Sequence, residues 1–168
     1  DYRRTTAWAN HRKAHPGYDN ILSFMNAATD ALLFTQTFTV LAEAAGLGTC
    51  FLGTTVYMPQ MIIDTLHLPQ LVMPVATLTV GWPDEKPAQT DRLPLRSIVH
   101  NETFDDYTPE KIDDFYAEKE ALEENKEFVR INQVETLAQV FTDIRYTKKD
   151  CEAMSTGFIE ALRKQGFI

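Results

Sequence analysis

The sequence has little cysteine and no long hydrophobic run. Its 168 residues include only two cysteines, Cys50 and Cys151, and these form neither a CxxC pair nor a zinc-binding pattern. Such sparse cysteine usage predicts a reduced, cytoplasmic protein. Because no stretch of about 18 uninterrupted apolar residues occurs, we expect no membrane-spanning segment and no membrane partner.

Positive charge is also in short supply. Lys and Arg number 16 against 24 Asp and Glu, which gives a net charge of −8. A general nucleic-acid-binding protein needs a basic face, so this balance argues against nucleic acid as a partner. The hydrophobic content of 44% and the charged content of 24% are typical of a globular chain, and the length suits a single domain over residues 1–168.

The sequence lacks the common catalytic motifs. It has no GxSxG elbow, no P-loop and no GxGxxG after a strand. His11 and His15 are four residues apart, as metal ligands on a helix would be, but Pro16 follows and no acidic ligand lies nearby, so we expect no metal site. No nucleophile stands beside a base. We therefore predict no catalytic side chain; if the chain is an enzyme, a bound cofactor carries its chemistry.

Hydrophobic patterning predicts many helices and few strands. Residues 26–45 predict a helix that is apolar nearly all round, which indicates burial in a subunit interface as well as in its own core. Residues 75–80 form the best strand pattern, and residues 49–52 form a weaker one. Because an isolated strand lacks backbone partners, we expect further strands within residues 1–25, upstream of the first residue, or on another chain.

Capping residues mark the other helices. Pro59 opens a short helix, and Thr108 caps a charged one over residues 110–128. Thr147 belongs to a sequence that resembles a capping box before the last helix. Residues 1–20 show no packing pattern, so we expect a surface segment or a flexible loop there; their basic cluster could also bind a phosphate.

Two segments have both a structural and a functional interpretation. The stretch Gly46-Leu-Gly-Thr-Cys-Phe-Leu-Gly53 is either a helix cap, a turn and a buried strand, or a backbone edge laid against a flat ligand. Arg92 lies in a proline-containing loop over residues 84–97. It is either a solvated charge or a phosphate-binding residue that uses the paired N–H donors of its guanidinium.

The order of these segments resembles the FMN-dependent nitroreductase family, and most of all its oxygen-insensitive nitroreductase and flavin reductase branch. The resemblance covers residues 26–104 well and the C-terminal helices loosely. The motifs that carry it, in order, are the apolar helix running into Gly46–Gly53, then Pro74-Val-Ala-Thr-Leu-Thr-Val-Gly-Trp-Pro83, then Arg92-Leu-Pro94, and finally Ile98-Val-His-Asn-Glu102.

For the fold, this resemblance implies an α+β, nitroreductase-like architecture. A mixed β-sheet would lie between helices, and the central helix would pack in the interface of a homodimer. The chain would be the C-terminal two thirds of a single domain, with a helical extension over residues 105–168. Roughly the first third of a family member, including a basic segment that grips the flavin, would be missing, in agreement with the shortage of strands.

For function, the resemblance implies an NAD(P)H-dependent nitroreductase or flavin reductase. NAD(P)H, the co-substrate, would reduce FMN, and the flavin would then reduce a nitroaromatic, a quinone or another flavin in a ping-pong cycle. Two alternatives remain open. One is the same fold with a different flavin reaction, and the other is a non-catalytic helical binding module.

The resemblance also assigns a residue for dinucleotide selectivity and the flavin contacts. Ser155 stands where one branch has an arginine that selects NADPH, which favours NADH or a weaker preference between NADH and NADPH. Thr90 stands where a lysine usually precedes the phosphate-binding arginine, so one positive charge would be lost. The implied cofactor-binding residues are Phe51, Leu52, Gly53 and Thr54 along the isoalloxazine ring, and Thr90 and Arg92 at the phosphate.

Overall fold

The computed structural model describes all residues from Asp1 to Ile168. The chain forms two compact units, one made of Asp1–Glu85 with Cys151–Ile168 and the other of Lys86–Asp150. The single domain predicted over residues 1–168 stays a prediction. None of the helices combines the length and the apolar character that crossing a membrane requires.

The first unit contains two strands, and they pair with each other. β1 (Gly48–Leu52) runs antiparallel to β2 (Thr77–Gly81), with Cys50 opposite Thr79 in the register. The weaker strand pattern is thus the partner of the stronger one. Each strand has one neighbour, so both outer edges of the pair carry unpaired backbone groups. A mixed sheet contains parallel as well as antiparallel pairs. This chain forms one antiparallel pair, so the mixed sheet stays a prediction.

Three helices precede β2 in this unit, namely α1 (Arg3–His11), α2 (Ile21–Ala44) and α3 (Pro59–Leu66). α2 begins five residues earlier than the predicted residue 26. The reason is local: the Asn20 side chain accepts a hydrogen bond from the backbone N–H of Ser23 at 2.9 Å and caps the helix there.

The alternative of a flexible loop is wrong for Arg3–His11, because α1 forms there, but most residues of this helix are exposed, as expected of a surface segment. Its sequence is strongly polar, and contacts with residues outside the helix hold it. The backbone N–H of Tyr2 donates to the Leu71 carbonyl at 3.2 Å, and the Tyr2 ring stacks on Tyr18 with centroids 4.7 Å apart. Ala9 is its buried residue.

The core of the first unit lies where α2 meets the last helix, α7 (Lys148–Lys164), and the residues after it. Phe24 packs edge-on against Phe158 and Phe167, with centroids 5.9 and 5.4 Å apart. Gln165 joins the core to the segment before β2, because its side-chain amide donates to the carbonyls of Pro69 and Val72 at 3.1 and 2.5 Å.

The second unit is helical. It contains α4 (Pro109–Ala121), α5 (Glu123–Asn132) and the short α6 (Leu137–Gln139), which continues as a π-helical turn over Val140–Arg145. The single helix predicted over residues 110–128 is therefore wrong.

The break between α4 and α5 falls at Leu122, whose backbone is extended (φ −63°, ψ 133°). The Asn125 side chain donates to the Lys119 carbonyl at 2.7 Å, and this bond satisfies one of the carbonyls that end α4. The predicted caps are confirmed: the Thr108 hydroxyl accepts from Lys111 N–H, and the Thr147 hydroxyl accepts from Asp150 N–H.

Candidate functional site

The segment predicted to line a flavin ring lies at the end of β1. Phe51 and Leu52 are the last two residues of the strand, and their side chains are 42% and 41% exposed. Gly53 opens a 3-10 turn that runs to Val56, and Thr54 is exposed on it. The backbone edge at residues 51–54 is therefore not walled off by packed side chains.

The glycines of this stretch have different physical roles. Gly46 has φ +86°, which side-chain-bearing residues rarely adopt, and a Cβ at Gly48 would lie 3.3 Å from Pro83 Cβ. These two positions fit the cap and the turn of the structural interpretation, whereas the buried strand that it also predicted is wrong, because no residue of β1 is buried. At Gly53 neither condition holds, because nothing lies within 4 Å of the position a Cβ would take. The functional interpretation fits Gly53, where the backbone faces open space.

Two side chains fix the position of this turn. Thr55 is buried, and its hydroxyl oxygen lies 3.1 Å from the Leu52 carbonyl oxygen and 2.9 Å from Thr77 Oγ1 on β2. At the start of the strand, the Thr49 hydroxyl bonds to the Glu43 carboxylate near the end of α2. No local sequence pattern indicates Thr55, because its partner on β2 is 22 positions away in the chain.

The residues predicted to contact the phosphate, Thr90 and Arg92, belong to the second unit. Arg92 Nη1 donates to the carbonyls of Thr90 and Asp91 at 3.2 and 2.9 Å, and also to Thr90 Oγ1. The structure thus brings Thr90 and Arg92 together. All three bonds use one nitrogen, which leaves Nε and Nη2 of this exposed guanidinium for an outside acceptor.

An ion pair lies next to this arginine. Lys119 Nζ on α4 bonds to Asp91 Oδ2 at 2.6 Å, and the two side chains are 25% and 27% exposed. The hydrogen bond from Lys119 holds the pKa of the Asp91 carboxyl below its usual value. The partners are 28 positions apart in the chain, so no local sequence pattern indicates Lys119.

A second feature of this unit is an open cleft of about 540 Å³ that is lined by His100 and its neighbours, Leu95 and Val99 among them. The His100 ring stacks on Phe104 with centroids 4.4 Å apart, and its Nδ1 accepts from the backbone N–H of Asp105 at 3.2 Å. These contacts account for the histidine as a structural residue of the loop. No group of three or more His, Cys, Asp or Glu side chains is arranged to hold a metal ion.

Comparison with known proteins adds sequence and fold relatives. No family model matches the sequence. A solved structure from Bacteroides fragilis NCTC 9343, provisionally described as an oxidoreductase, is 59% identical, with a TM-score of 0.97 over 100% of this chain and 68% of that one. The NfrA1 nitroreductase of Bacillus subtilis, at 24% identity, shares the fold with a TM-score of 0.76, covering 99% of this chain and 67% of that chain.

A curated relative is the FMN reductase (NAD(P)H) of Bacillus subtilis strain 168. It is 38% identical over 82 residues, which is 49% of this chain and 33% of the relative. The match thus spans about a third of the relative's length. The prediction of an α+β, nitroreductase-like fold is confirmed. Since the Bacteroides structure is matched at high identity over two thirds of its length, the chain belongs to the FMN-dependent nitroreductase and flavin reductase family.

Proposed function

We propose that this chain provides flavin-binding residues of an FMN-dependent NAD(P)H oxidoreductase that reduces nitroaromatics, quinones or flavins by ping-pong hydride transfer. The observation that carries the proposal is the open backbone at Gly53, at the position that the family resemblance assigns to the isoalloxazine ring. The names of the sequence relatives, an FMN reductase among them, support the same chemistry.

The turn after β1 would hold the ring. Gly53 has no Cβ and no neighbouring atom over it, so a flat ring can approach the backbone closely. Phe51 and Leu52 present exposed apolar surface at the end of the strand. Thr55, anchored to β2, keeps this edge rigid, so that backbone N–H groups are oriented before a ligand arrives.

The loop at residues 90–92 would hold the phosphate. Arg92 offers Nε and Nη2, and a guanidinium binds a phosphate through such paired donors. Thr90 adds a hydroxyl but no charge, so the positive charge of this short segment comes from Arg92.

No acid or base residue is required. When bound, FMN would supply the hydride-accepting and hydride-donating chemistry. The residues of this chain then contribute by binding and orienting, because transfer between two rings depends on their distance and alignment. Ser155 is exposed on α7 and offers no positive charge to the 2′-phosphate of NADPH. This favours NADH, or a weaker preference between NADH and NADPH.

We further propose a cytoplasmic homodimer in which α2 lies in the interface. Large apolar side chains project from this helix, with Leu33, Phe34 and Leu41 exposed by 64%, 74% and 65%. Contiguous apolar surface of this kind marks an association site. A second copy of the chain is the partner that the family resemblance implies.

The test is the visible absorption of the purified protein that contains this chain, followed by its NADH oxidation with and without a nitroaromatic or a quinone. We expect a yellow protein whose NADH oxidation requires the acceptor. A yellow protein that oxidises NADH equally without an acceptor would indicate a different flavin reaction on the same fold. A colourless protein whose Tm does not rise when FMN is added would indicate a non-catalytic binding module.

A further inference from the structure

The loop that carries Arg92 is tied to α4 by one side chain. Lys119 Nζ and Asp91 Oδ2 are 2.6 Å apart, and both side chains are about three-quarters buried. Other ion pairs of the same unit are far more exposed: in Lys126–Glu123, at 2.7 Å, the side chains are 56% and 89% exposed. In a pair that is partly shielded from solvent, dissolved ions weaken the attraction less than in an exposed pair, and the two side chains hold their geometry better.

Asp91 is adjacent to Arg92 in the chain, and the two residues interact through the backbone. Arg92 Nη1 donates to the Asp91 carbonyl at 2.9 Å, so the peptide that Lys119 anchors is the one that orients the guanidinium. A carboxyl with the ordinary pKa of 3.8 is ionised at neutral pH, and the hydrogen bond from Lys119 lowers the pKa of Asp91 further.

An ionised carboxylate beside a phosphate-binding arginine weakens phosphate binding unless another cation neutralises the carboxylate. It would repel an incoming phosphate, and it could take the free guanidinium donors itself. Lys119 removes both problems, because it pairs with the carboxylate and holds it towards α4.

We propose that Lys119 is a positioning residue for Arg92, which anchors the loop through Asp91 and keeps that carboxylate from competing with the phosphate. This inference rests on the proposed function, in which Arg92 binds the phosphate of FMN. Lys119 itself does not touch the flavin in this proposal.

The experiment compares FMN with riboflavin, which lacks the phosphate, as ligands of the flavin-free protein. Binding is measured by quenching of flavin fluorescence for the wild type, Lys119→Met, Lys119→Arg and the matched control Lys126→Met. We expect Lys119→Met to weaken FMN binding about tenfold, because a displaced Arg92 would lose one charge-assisted hydrogen bond to the phosphate, and to leave riboflavin binding within about twofold. Lys119→Arg should restore most of the FMN affinity, and Lys126→Met should match the wild type.

A structural role alone would weaken both ligands equally, and that result would overturn the inference. Hydrogen exchange of the backbone N–H groups at residues 88–95 provides a ligand-free check, since we expect faster exchange in Lys119→Met than in Lys126→Met. If these N–H groups exchanged equally fast in the two variants, Lys119 would not anchor the loop.

Arg92→Ala separates this inference from the proposed function. If Arg92→Ala leaves the preference for FMN over riboflavin intact, the phosphate assignment itself fails, and the inference fails with it. If Arg92→Ala lowers the preference and Lys119→Met does not, the proposed function stands and the positioning role of Lys119 is wrong.

Discussion

At the scale of single residues, Gly53 and Thr55 contribute differently to the same turn. Thr55 is buried and bonded to β2, so it stabilises the turn, whereas Gly53 faces open space and contributes by having no side chain. Substitution can therefore separate ligand binding from folding at this turn.

Gly53→Ala is expected to weaken the binding of FMN and of riboflavin alike, because a methyl group would separate the ring from the backbone. Stability should change by less than about 1 kcal/mol, since the added Cβ meets nothing within 4 Å. Fluorescence titration and urea unfolding measure the two effects. Gly81→Ala, which also adds a Cβ in open space, is the control and should leave flavin affinity unchanged. If Gly53→Ala bound both flavins as tightly as the wild type does, the ring would not lie against the Gly53 backbone.

Asp91 makes acid stability depend on Lys119. Its pKa is lowered in the folded state from an ordinary value of 3.8, so its contribution to stability is complete above that value and is lost as the pH falls through the lowered pKa. From about pH 5 downwards, the free energy of unfolding of the wild type should fall more steeply than that of Lys119→Met. Urea unfolding at several pH values measures this slope. Parallel slopes in the two proteins would show that the pair does not shift the pKa.

At the scale of elements, α2 determines where the apolar surface of the chain lies. The Asn20 cap sets its first turn, and Phe24, one turn later, anchors it in the core of the first unit. Near the other end of the helix Thr39 and Ala42 are also buried, and between these two ends large apolar side chains such as Leu33 and Phe34 are exposed.

Asn20→Ala is expected to lower the free energy of unfolding by about 1 kcal/mol, because the Ser23 N–H would lose its side-chain acceptor. Asn20→Ser keeps an acceptor oxygen for this N–H and, like Asn20→Ala, lacks the Nδ2 donor that bonds to the Gly17 carbonyl at 2.7 Å, so the difference between the two variants isolates the cap. Chemical denaturation followed by circular dichroism measures both variants. If Asn20→Ser were as unstable as Asn20→Ala, the cap would not be the cause.

At the scale of the whole molecule, the proposed dimer accounts for the exposed apolar surface of α2. Phe34 is 74% exposed on this helix, and a side chain of that size gains stabilisation of roughly 1.5–3 kcal/mol when it is buried. Burial of Phe34 in the proposed interface would therefore favour association.

Phe34→Asp is expected to shift the protein from dimer to monomer, because a buried, unpaired carboxylate would oppose association. Sedimentation velocity at several concentrations measures the shift. Leu66→Asp on α3, where the leucine is 63% exposed, is the matched control and should remain dimeric. A Phe34→Asp protein that dimerises like the wild type would place the interface elsewhere.

Local features of this protein could be predicted from the sequence because their causes lie within a few residues. The caps at Thr108 and Thr147 depend on a backbone N–H three positions away, and the positive φ of Gly46 needs only the glycine itself. The β-branched pattern of residues 75–80 likewise predicted a strand that the structure places at Thr77–Gly81. The ordered motifs around Gly53 and Arg92 were enough to indicate the family.

What only the tertiary structure decided are the contacts between residues far apart in the chain. The pairing of β1 with β2, the contact of Tyr2 with Leu71 that holds α1, and the ion pair between Asp91 and Lys119 leave no periodicity in the sequence. Each forms because folding brings together groups that can satisfy one another's hydrogen bonds, and many other pairs in the chain have the same chemistry. Local chemistry therefore determined the elements, and packing determined which of their partners meet.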